Sequence, residues 1–306
     1  MNSNLHKAKE VKNDEFYTQL SDIENELENY VDHFKGKTVL CNCDDPRESQ
    51  FFHYFSHNFE YLGLKKLITT CYKNQSRDLF SDGGSENAVY LVYEGDKNGN
   101  RVPDPEEIGV HSLKGDGDFR SPEVIELLKE ADIVVTNPPF SLFREYIDQL
   151  MKYNKEFLIV GPLGAITYKK FFNYFIDDKL WTGCSGRLGE FQTPSGELKG
   201  APCIWWTNIT HEKKNEEYVL YHNYNKEDNP SYDNYDIIET CVNRTTKIPK
   251  DYDGLMAVPS TFVEKISQTQ FEIVGIANNA RYIGVECYTI LDGKNKKNRL
   301  IVKKIK

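Results

Sequence analysis

Short apolar runs and amphipathic stretches alternate along the first part of the chain. The apolar runs are β-prone and end in turn residues, whereas the stretches between them repeat apolar residues at helical spacing. The sequence therefore predicts strands at residues 38–41, 64–70, 88–93, 131–136 and 157–161. Strand and helix alternate from residue 21 to about 178, which favours a largely parallel sheet covered on both faces.

Start and stop signals frame the first two helices. Ser21 and Glu24 have the spacing of a capping box, which predicts a helix that runs to about Phe34. Asp45-Pro46 has the form of a second helix start, with a cap residue followed by proline. That helix would present aromatic residues on one face and end at Gly63.

The later parts of the chain have a different character. Residues 95–118 are polar and rich in turn residues, which indicates either an extended hairpin or a mobile loop. Residues 210–306 are rich in Tyr, Asn, Asp and Lys, with short strand-like pieces. We therefore expect a domain boundary near residue 210, with domains at 1–209 and 210–306.

Composition limits the classes of protein to which the chain can belong. Its 306 residues are 39% hydrophobic, which supports a real core, and no apolar run is long enough to span a bilayer. Seven cysteines follow no regular spacing and the N-terminus lacks an apolar signal region, so we expect reduced thiols in a cytoplasm and no contact with a membrane.

The net charge of the chain and the charge of its last segment support different expectations about nucleic acid. A net charge of −9 argues against a protein that coats nucleic acid non-specifically. The segment 293–306 nevertheless carries seven cations and no acid, so it is either a solvated basic tail or a source of phosphate contacts. Its cations are Lys294, Lys296, Lys297, Arg299, Lys303, Lys304 and Lys306.

The tetrapeptide Asn137-Pro138-Pro139-Phe140 follows the apolar run 131–136 directly. Ligands in open α/β sheets bind just outside the carboxyl ends of strands. Asn137 and the Pro138 carbonyl could accept the two hydrogens of an exocyclic amine while Phe140 stacks on the ring. In the alternative interpretation the tetrapeptide is a strand-terminating turn, and Asn137 caps the helix that follows.

Cysteine and histidine also occur close together near the first strand. Cys41, Cys43, His53 and His57 are residue types that bind zinc, but the cysteines lack the usual two-residue gap. Core packing explains both pairs, so we expect no metal site.

The aromatic-Thr element at Phe16-Tyr17-Thr18, taken with the tetrapeptide at 137–140, resembles the N6-adenine DNA methyltransferases. Further pieces are similar to the EcoRI-type branch of that family, from about residue 11 to the basic C-terminus. They are Cys41-Asn-Cys-Asp-Asp-Pro46, Leu62-Gly-Leu-Lys-Lys-Leu67, Gly115-Asp-Gly-Asp-Phe119, Trp205-Trp-Thr-Asn208 and Gly254-Leu-Met-Ala-Val-Pro259.

The resemblance implies a fold and an activity. The fold would be a Rossmann-like methyltransferase domain at 1–209, with a mostly parallel seven-stranded sheet, and a target-recognition region at 210–306. The activity would be transfer of a methyl group from S-adenosylmethionine to N6 of a flipped adenine in double-stranded DNA. A cognate restriction endonuclease could act on the same site without forming a stable complex.

The resemblance also implies roles for particular residues. Asn137, Pro138, Pro139 and Phe140 would be catalytic. The cofactor would contact Phe16, Tyr17, Thr18, Asn42, Asp44, Asp45, Asp118 and Phe119, although Cys41 and the segment 42–46 replace the usual acid and glycine-rich loop. DNA contacts would come from Arg187, Lys199, Lys294, Lys296, Lys297 and Arg299.

Other functions remain open from the sequence. Methyltransferases that act on an RNA base or a protein glutamine also use an Asn-Pro-Pro-aromatic tetrapeptide. The missing glycine loop is compatible with a DNA-binding protein that has lost catalysis.

Overall fold

The computed structural model describes residues 17–43, 49–70, 88–100, 102–192, 198–242, 245–277 and 289–305. Within these ranges the chain forms two compact units. The first contains described residues of 1–162 and 183–211, and the second contains those of 163–182 and 212–306. The expected division into domains at 1–209 and 210–306 stays a prediction. Residues 163–182 group with the second unit, because Gln268 Nε2 donates to the Phe175 carbonyl at 2.7 Å and so ties this segment to the C-terminal part.

The first unit is a mixed α/β structure built on one large sheet. Its helices are α1 (Leu20–Leu27), α2 (Val31–Phe34), α3 (Gln50–His57), α4 (Phe59–Leu62), α5 (Pro122–Glu130) and α6 (Phe143–Lys152). The sheet strands are β1 (Thr38–Asn42), β2 (Lys66–Thr70), β3 (Val89–Tyr93), β4 (Ile108–Ser112), β5 (Ile133–Thr136), β6 (Glu156–Pro162), β7 (Trp181–Arg187) and β10 (Cys203–Thr207). A small ribbon, β8 (Glu190–Gln192) and β9 (Leu198–Gly200), precedes β10. No helix among the described residues has the length and apolar character that crossing a bilayer requires.

The expectation of a mostly parallel seven-stranded sheet was wrong. The described sheet has eight strands in the order β4-β3-β2-β1-β5-β6-β10-β7. Parallel pairs join β2 to β1, β1 to β5 and β5 to β6, whereas the pairs β2–β3, β3–β4 and β6–β10 are antiparallel. The parallel strands are those separated by helices in the sequence. The outer strands β3 and β4 follow each other in the chain without a helix between them and pair as an antiparallel hairpin.

Tertiary packing moved both predicted helix starts. The first helix begins at Leu20, so Ser21 lies inside it, and Gln19 occupies the cap position without a side-chain bond. Burial of Ile23 and Leu27 at 0% exposure holds this helix in place without a capping box. The second helix begins at Gln50, where the Ser49 hydroxyl accepts from the Phe51 amide at 3.2 Å. Asp45 lies outside the described residues.

The polar segment at 95–118 is the connection of a hairpin and the chain beyond it. β3 and β4 pair antiparallel from Val89–Ser112 to Tyr93–Ile108. Glu107, 8% exposed, closes the connection because its carboxylate accepts from the amides of Lys97 at 2.7 Å and Asn98 at 3.1 Å. The hairpin alternative is therefore confirmed.

The second unit is built on an antiparallel and parallel sheet of four described strands. It contains α7 (Lys169–Ile176) and the strands β11 (Ile237–Glu239), β12 (Cys241–Val242), β13 (Thr245–Thr246), β14 (Leu255–Pro259), β15 (Phe271–Ile276), β16 (Thr289–Leu291), β17 (Lys294–Lys296) and β18 (Arg299–Lys304). The sheet order is β11-β14-β18-β15, so β18 lies between two neighbours. Leu300, Ile301 and Val302 are 0% exposed. The interpretation of residues 293–306 as a solvated tail was wrong, because Lys294–Lys296 form a hairpin strand and the consecutive buried residues 300–302 lie in a central strand of the sheet.

A buried carboxylate fastens helix α1 to the sheet of the first unit. Glu26 is 0% exposed, and Oε1 accepts from the Cys184 amide at 2.8 Å and the Tyr30 hydroxyl at 2.9 Å. Oε2 accepts from the Ser185 amide at 2.7 Å and its hydroxyl at 2.6 Å. Burial, followed by the charge of Glu26, raises the pKa of Tyr30, which keeps its hydroxyl protonated as a donor.

Glu26→Gln should destabilise the protein, because an amide group would turn donor hydrogens toward the amides and hydroxyls that now donate to the carboxylate. Buried donors without partners cost about 1–3 kcal/mol each, so we expect a loss of about 2 kcal/mol or more. Thermal and urea unfolding would measure the loss. Glu24→Gln, at an exposed position of the same helix, should stay within about 0.5 kcal/mol of the wild type. Equal stability of the two variants would contradict the role of Glu26.

Candidate active site

The tetrapeptide at 137–140 lies at the carboxyl end of β5, in the parallel part of the sheet. β5 is buried throughout and pairs with β1 on one side and β6 on the other. Asn137 is 6% exposed and Pro138 is buried, whereas Pro139 and Phe140 are partly exposed. The tetrapeptide therefore leads from the interior outward at the edge where ligands of such sheets bind.

Asn137 does not cap the helix that follows. Residues Phe140–Leu142 form a 3-10 turn whose cap position is Pro139, and α6 begins only at Phe143. The capping interpretation of Asn137 was therefore wrong.

The Asn137 side chain is bound by a residue far away in the sequence. Its Nδ2 donates to the Thr18 hydroxyl at 3.2 Å, across 119 residues. Thr18 is 2% exposed and Tyr17 is 9% exposed, so both lie in the interior just before α1. The structure thus joins two elements that the sequence analysis placed in one site.

A second set of contacts joins the ends of β1 and β5. The Thr136 hydroxyl donates to the Asn42 carbonyl, and the Tyr146 hydroxyl donates to Asn42 Oδ1. Asn42 is 3% exposed and ends β1. Cys43 then adopts φ +82°, in the left-handed region, and its amide donates to the Thr70 carbonyl at 3.0 Å. A non-glycine residue thus holds a left-handed conformation directly after β1.

Phe119 contacts Tyr146, which binds Asn42 at the end of β1, and Asp118 directly precedes Phe119 in the chain. The Phe119 ring is 5% exposed and meets the Tyr146 ring edge-on, with centroids 5.0 Å apart. Arg120 donates two hydrogen bonds to the Asp118 carboxylate, from Nε to Oδ1 at 2.9 Å and from Nη2 to Oδ2 at 2.6 Å. The hydrogen bond to Asp118 is the main reason that the pKa of Arg120 is raised. The Asp118 carboxylate is therefore held in a fixed orientation.

The β8–β9 ribbon borders the tetrapeptide. The Phe191 ring, 1% exposed, lies edge-on to the Phe140 ring with centroids 6.4 Å apart. Lys199 is the register partner of Phe191 on β9, and Arg187 ends β7 just before the ribbon; both side chains are exposed. These two expected DNA-binding residues thus flank an element that contacts the tetrapeptide.

Three of the expected DNA-binding lysines lie on a hairpin of the second unit. β16 and β17 pair antiparallel, and Asp292 and Gly293 between them both have positive φ, +50° and +69°. This conformation matches the two-residue turn that favours Asp-Gly. Lys294 and Lys297 are exposed and Lys296 is partly exposed.

Arg299 has a different environment from these lysines. Its side chain is 17% exposed, and Nε lies 3.0 Å and 3.2 Å from the two oxygens of Glu239, which is 1% exposed. Tyr232 donates its hydroxyl to the same carboxylate at 2.5 Å. Burial alone would lower the pKa of Arg299, but the charge and hydrogen bond of Glu239 raise it overall. Arg299 thus forms an ion pair inside the second unit, and its contact with DNA stays a prediction.

Phe16, Asp44 and Asp45 lie outside the described residues. Cys41 is buried on β1, and His57 Nδ1 lies 2.8 Å from the His53 carbonyl. No group of three or more His, Cys, Asp and Glu residues within the described ranges is arranged to hold a metal ion.

Sequence reasoning missed several residues of this cluster. Tyr146 shares the buried face of α6 with Phe143, Ile147 and Leu150, so its helical spacing marked it only as a core residue. Its hydroxyl was the available signal, because a buried hydroxyl needs a partner. Arg120 follows Asp118 by two residues, and Phe191 lies in a turn-rich segment without a strong pattern.

Comparison with known proteins gives one consistent family. The model described as "Adenine-specific methyltransferase EcoRI" matches residues 4–305. The chain is 47% identical over 293 residues to Type II methyltransferase M.EcoRI of Escherichia coli, covering 89% of each chain. It is 38% identical over 297 residues to Type II methyltransferase M.MgeORF184P of Mycoplasma genitalium, covering 90% of this chain and 86% of that relative. Type II methyltransferase M.MpnI of Mycoplasma pneumoniae is 35% identical over 299 residues, with the same coverage. No solved structure matches the chain.

Arg299→Gln should destabilise the second unit, because it leaves the Glu239 charge buried without its cationic partner. Breaking a buried pair in this way costs about 3 kcal/mol or more. Thermal unfolding would show the loss, and Glu239→Gln combined with Arg299→Gln should recover part of it. Lys303→Gln, at an exposed position of the same strand, is the control. Unchanged stability of Arg299→Gln, together with weaker DNA binding, would instead mark Arg299 as a phosphate contact.

Proposed function

Because the chain belongs to the EcoRI-type family of adenine-specific methyltransferases, we propose that it methylates N6 of an adenine flipped out of double-stranded DNA. Membership of this family makes the chain a site-specific DNA adenine methyltransferase of the restriction–modification type. The methyl donor would be S-adenosylmethionine. The observation that carries this proposal is the position of Asn137-Pro138-Pro139-Phe140 at the carboxyl end of β5, beside the end of β1.

The residues at the end of β1 fit a nucleoside-type cofactor. Cys43 has a left-handed backbone directly after β1, and the Asn42, Tyr146 and Phe119 contacts place polar and aromatic groups beside the end of this strand. Tyr17, Asn42, Asp118 and Phe119 are the described residues that would hold the cofactor. When bound, S-adenosylmethionine supplies a methyl group on a sulfonium, and the protein contributes binding and orientation.

Asn137 and Pro138 would act on the adenine amine. The N6 lone pair is delocalised into the ring, so the amine is a poor nucleophile. Two acceptors, Asn137 Oδ1 and the Pro138 carbonyl, would hold the two amine hydrogens and favour a localised lone pair. Such preorganised contacts are effective because they are strongest where charge develops in the transition state.

Phe140 would stabilise the flipped base. Extrusion of a nucleotide costs a few kcal/mol, and stacking on an aromatic ring offsets part of that cost. Phe191 contacts the Phe140 ring edge-on, so the ribbon β8–β9 would fix the orientation of the stacking surface. Arg187 and Lys199 at this ribbon are proposed to contact the DNA backbone or bases near the target nucleotide.

The hairpin β16–β17 would contribute phosphate contacts in the second unit. It is anchored, because the Gly293 amide donates to Asp233 Oδ2 at 2.9 Å and the Ile290 amide donates to Asn234 Oδ1 at 2.9 Å. Lysines on an anchored hairpin lose less freedom on binding than lysines on a flexible tail. We propose Lys294, Lys296 and Lys297 for this role.

We also propose that a companion endonuclease recognises the same DNA sequence without forming a stable complex with this protein.

Asn137→Ala should keep the fold, cofactor binding and most DNA binding but lose turnover. Loss of one preorganised acceptor costs about 2–4 kcal/mol in the transition state, roughly a hundred- to thousandfold in rate. Single-turnover transfer from labelled S-adenosylmethionine to DNA, with identification of the modified nucleoside, is the measurement. A drop of less than tenfold, or wild-type protein that neither binds the cofactor in calorimetry nor forms N6-methyladenine, would contradict the proposed function.

Neutralising Lys294, Lys296 and Lys297 to Gln should weaken binding to all DNA sequences alike. Each lost phosphate contact should flatten the log–log salt dependence of the binding constant by about one unit. Titrations of cognate and unrelated duplexes at several salt concentrations would measure this slope. The charge-matched control changes three other exposed lysines of the second unit to Gln, Lys226, Lys250 and Lys265. If the control flattens the slope equally, the hairpin makes no particular contribution.

A further inference from the structure

The Asn137 amide has two chemically different ends, and only one of them suits the proposed reaction. An amine hydrogen needs an acceptor, so Oδ1 must face the base and Nδ2 must face elsewhere. The terminal torsion of asparagine is broad and roughly two-fold, so the side chain alone does not choose between the two orientations. Something outside Asn137 has to make that choice.

The backbone of the tetrapeptide leaves this choice open. Pro138 and Pro139 restrict the chain after Asn137, and β5 fixes the chain before it. These constraints place the Cβ atom of Asn137 but do not act on its amide. The remaining freedom is the rotation of a buried side chain, which is 6% exposed.

Thr18 contacts the amide at the end that must face away from the base. Its hydroxyl oxygen lies 3.2 Å from Asn137 Nδ2 and accepts the hydrogen. Since nitrogen and oxygen of a planar amide diverge from one carbon, a bond at Nδ2 also fixes the direction of Oδ1. An amide that donates through its nitrogen also becomes a somewhat better acceptor at its oxygen.

Thr18 is itself held by its surroundings. It is 2% exposed and lies two residues before α1, whose first turn is closed by the Gln19 carbonyl accepting from the Ile23 amide at 3.2 Å. The same helix is fastened to β7 through Glu26. A rigid support of this kind is what keeps an orienting contact within the tolerance that catalysis requires.

We propose that Thr18 is a positioning residue that orients the Asn137 amide, so that Oδ1 faces the adenine amine. This inference rests on the proposed function, because it acts through Asn137. It gives Thr18 a role different from the cofactor contact that the family resemblance implies. The bond to Asn137 engages the hydroxyl, and the effect of Thr18 on catalysis then passes through the base rather than through the methyl donor.

Thr18→Val tests the proposal because valine keeps the shape of threonine and removes the hydroxyl. Removing the hydroxyl that accepts from Nδ2 should let the amide rotate and lower the single-turnover rate about tenfold to a hundredfold. The dissociation constant of S-adenosylmethionine, measured by calorimetry, should change less than about twofold. Thr18→Ser retains the hydroxyl and should recover most of the rate, which a loss of packing alone would not allow.

A double-mutant cycle separates positioning from direct contact with the cofactor. If Thr18 acts through Asn137, adding Thr18→Val to Asn137→Ala should cause little further loss in rate. The duplex should contain the sequence that the wild-type enzyme modifies, identified by sequencing modified DNA from the expression host. Base flipping, followed by 2-aminopurine fluorescence at the target position, should remain in Thr18→Val.

The outcomes distinguish the inference from the proposed function. Full loss in Asn137→Ala with an unchanged rate in Thr18→Val would overturn the positioning role and leave the proposed function intact. Additive losses, or a cofactor affinity that falls with Thr18→Val, would assign Thr18 to the cofactor instead. Retained activity in Asn137→Ala would overturn the proposed function itself. If Thr18→Val does not fold, the Thr18→Ser and Thr18→Ala pair provides the same comparison.

Discussion

Parallel pairing of β1 with β5 is the constraint on which the candidate site depends. The two strands start in register, since the Asp132 amide donates to the Thr38 carbonyl at 2.9 Å and the Thr38 amide donates to Asp132 Oδ2 at 2.8 Å. They also end together, where the Thr136 hydroxyl donates to the Asn42 carbonyl. Residues that follow the two strands, about 95 positions apart in sequence, therefore emerge side by side. A shift of one residue in this register would move every side chain to the other face of the sheet.

Each unit is organised around a buried carboxylate. Glu26 and Glu239 both accept from two backbone amides and a tyrosine hydroxyl, and Glu239 also accepts from Arg299. A carboxylate has acceptor sites for several donors, so a single residue can satisfy groups from different segments. The cost of burying the charge is met by charge-assisted hydrogen bonds, which are stronger than neutral ones. The same arrangement explains why Arg299 differs from the lysines around it.

The chemistry of the site is distributed over segments that are short and individually weak as signals. Thr18 precedes a helix, Asn42 ends one strand, Asn137 follows another, and Tyr146 lies on a helix face. Contacts among side chains connect them, from Thr18 to Asn137 and from Asn42 through Tyr146 to Phe119. An enzyme that relies on positioning benefits from such an arrangement, because each group lies on a helix or strand or within three residues of the end of one.

The sequence by itself determined the parallel centre of the sheet, the tetrapeptide at a strand end and the family. The first two depend on local patterns, namely apolar runs, helical spacing and proline after a strand, and the family follows from the order of short motifs along the chain. Only the tertiary structure decided the antiparallel outer strands, the true starts of the first two helices and the place of residues 299–304 in the middle of a sheet. The structure also showed the hairpin at Asp292-Gly293, which the sequence analysis did not predict. Partners such as Thr18 for Asn137 and Glu239 for Arg299 are separated by 119 and 60 residues. No local pattern encodes such pairs, because they form only when burial leaves a polar group no other way to satisfy its hydrogen bonds.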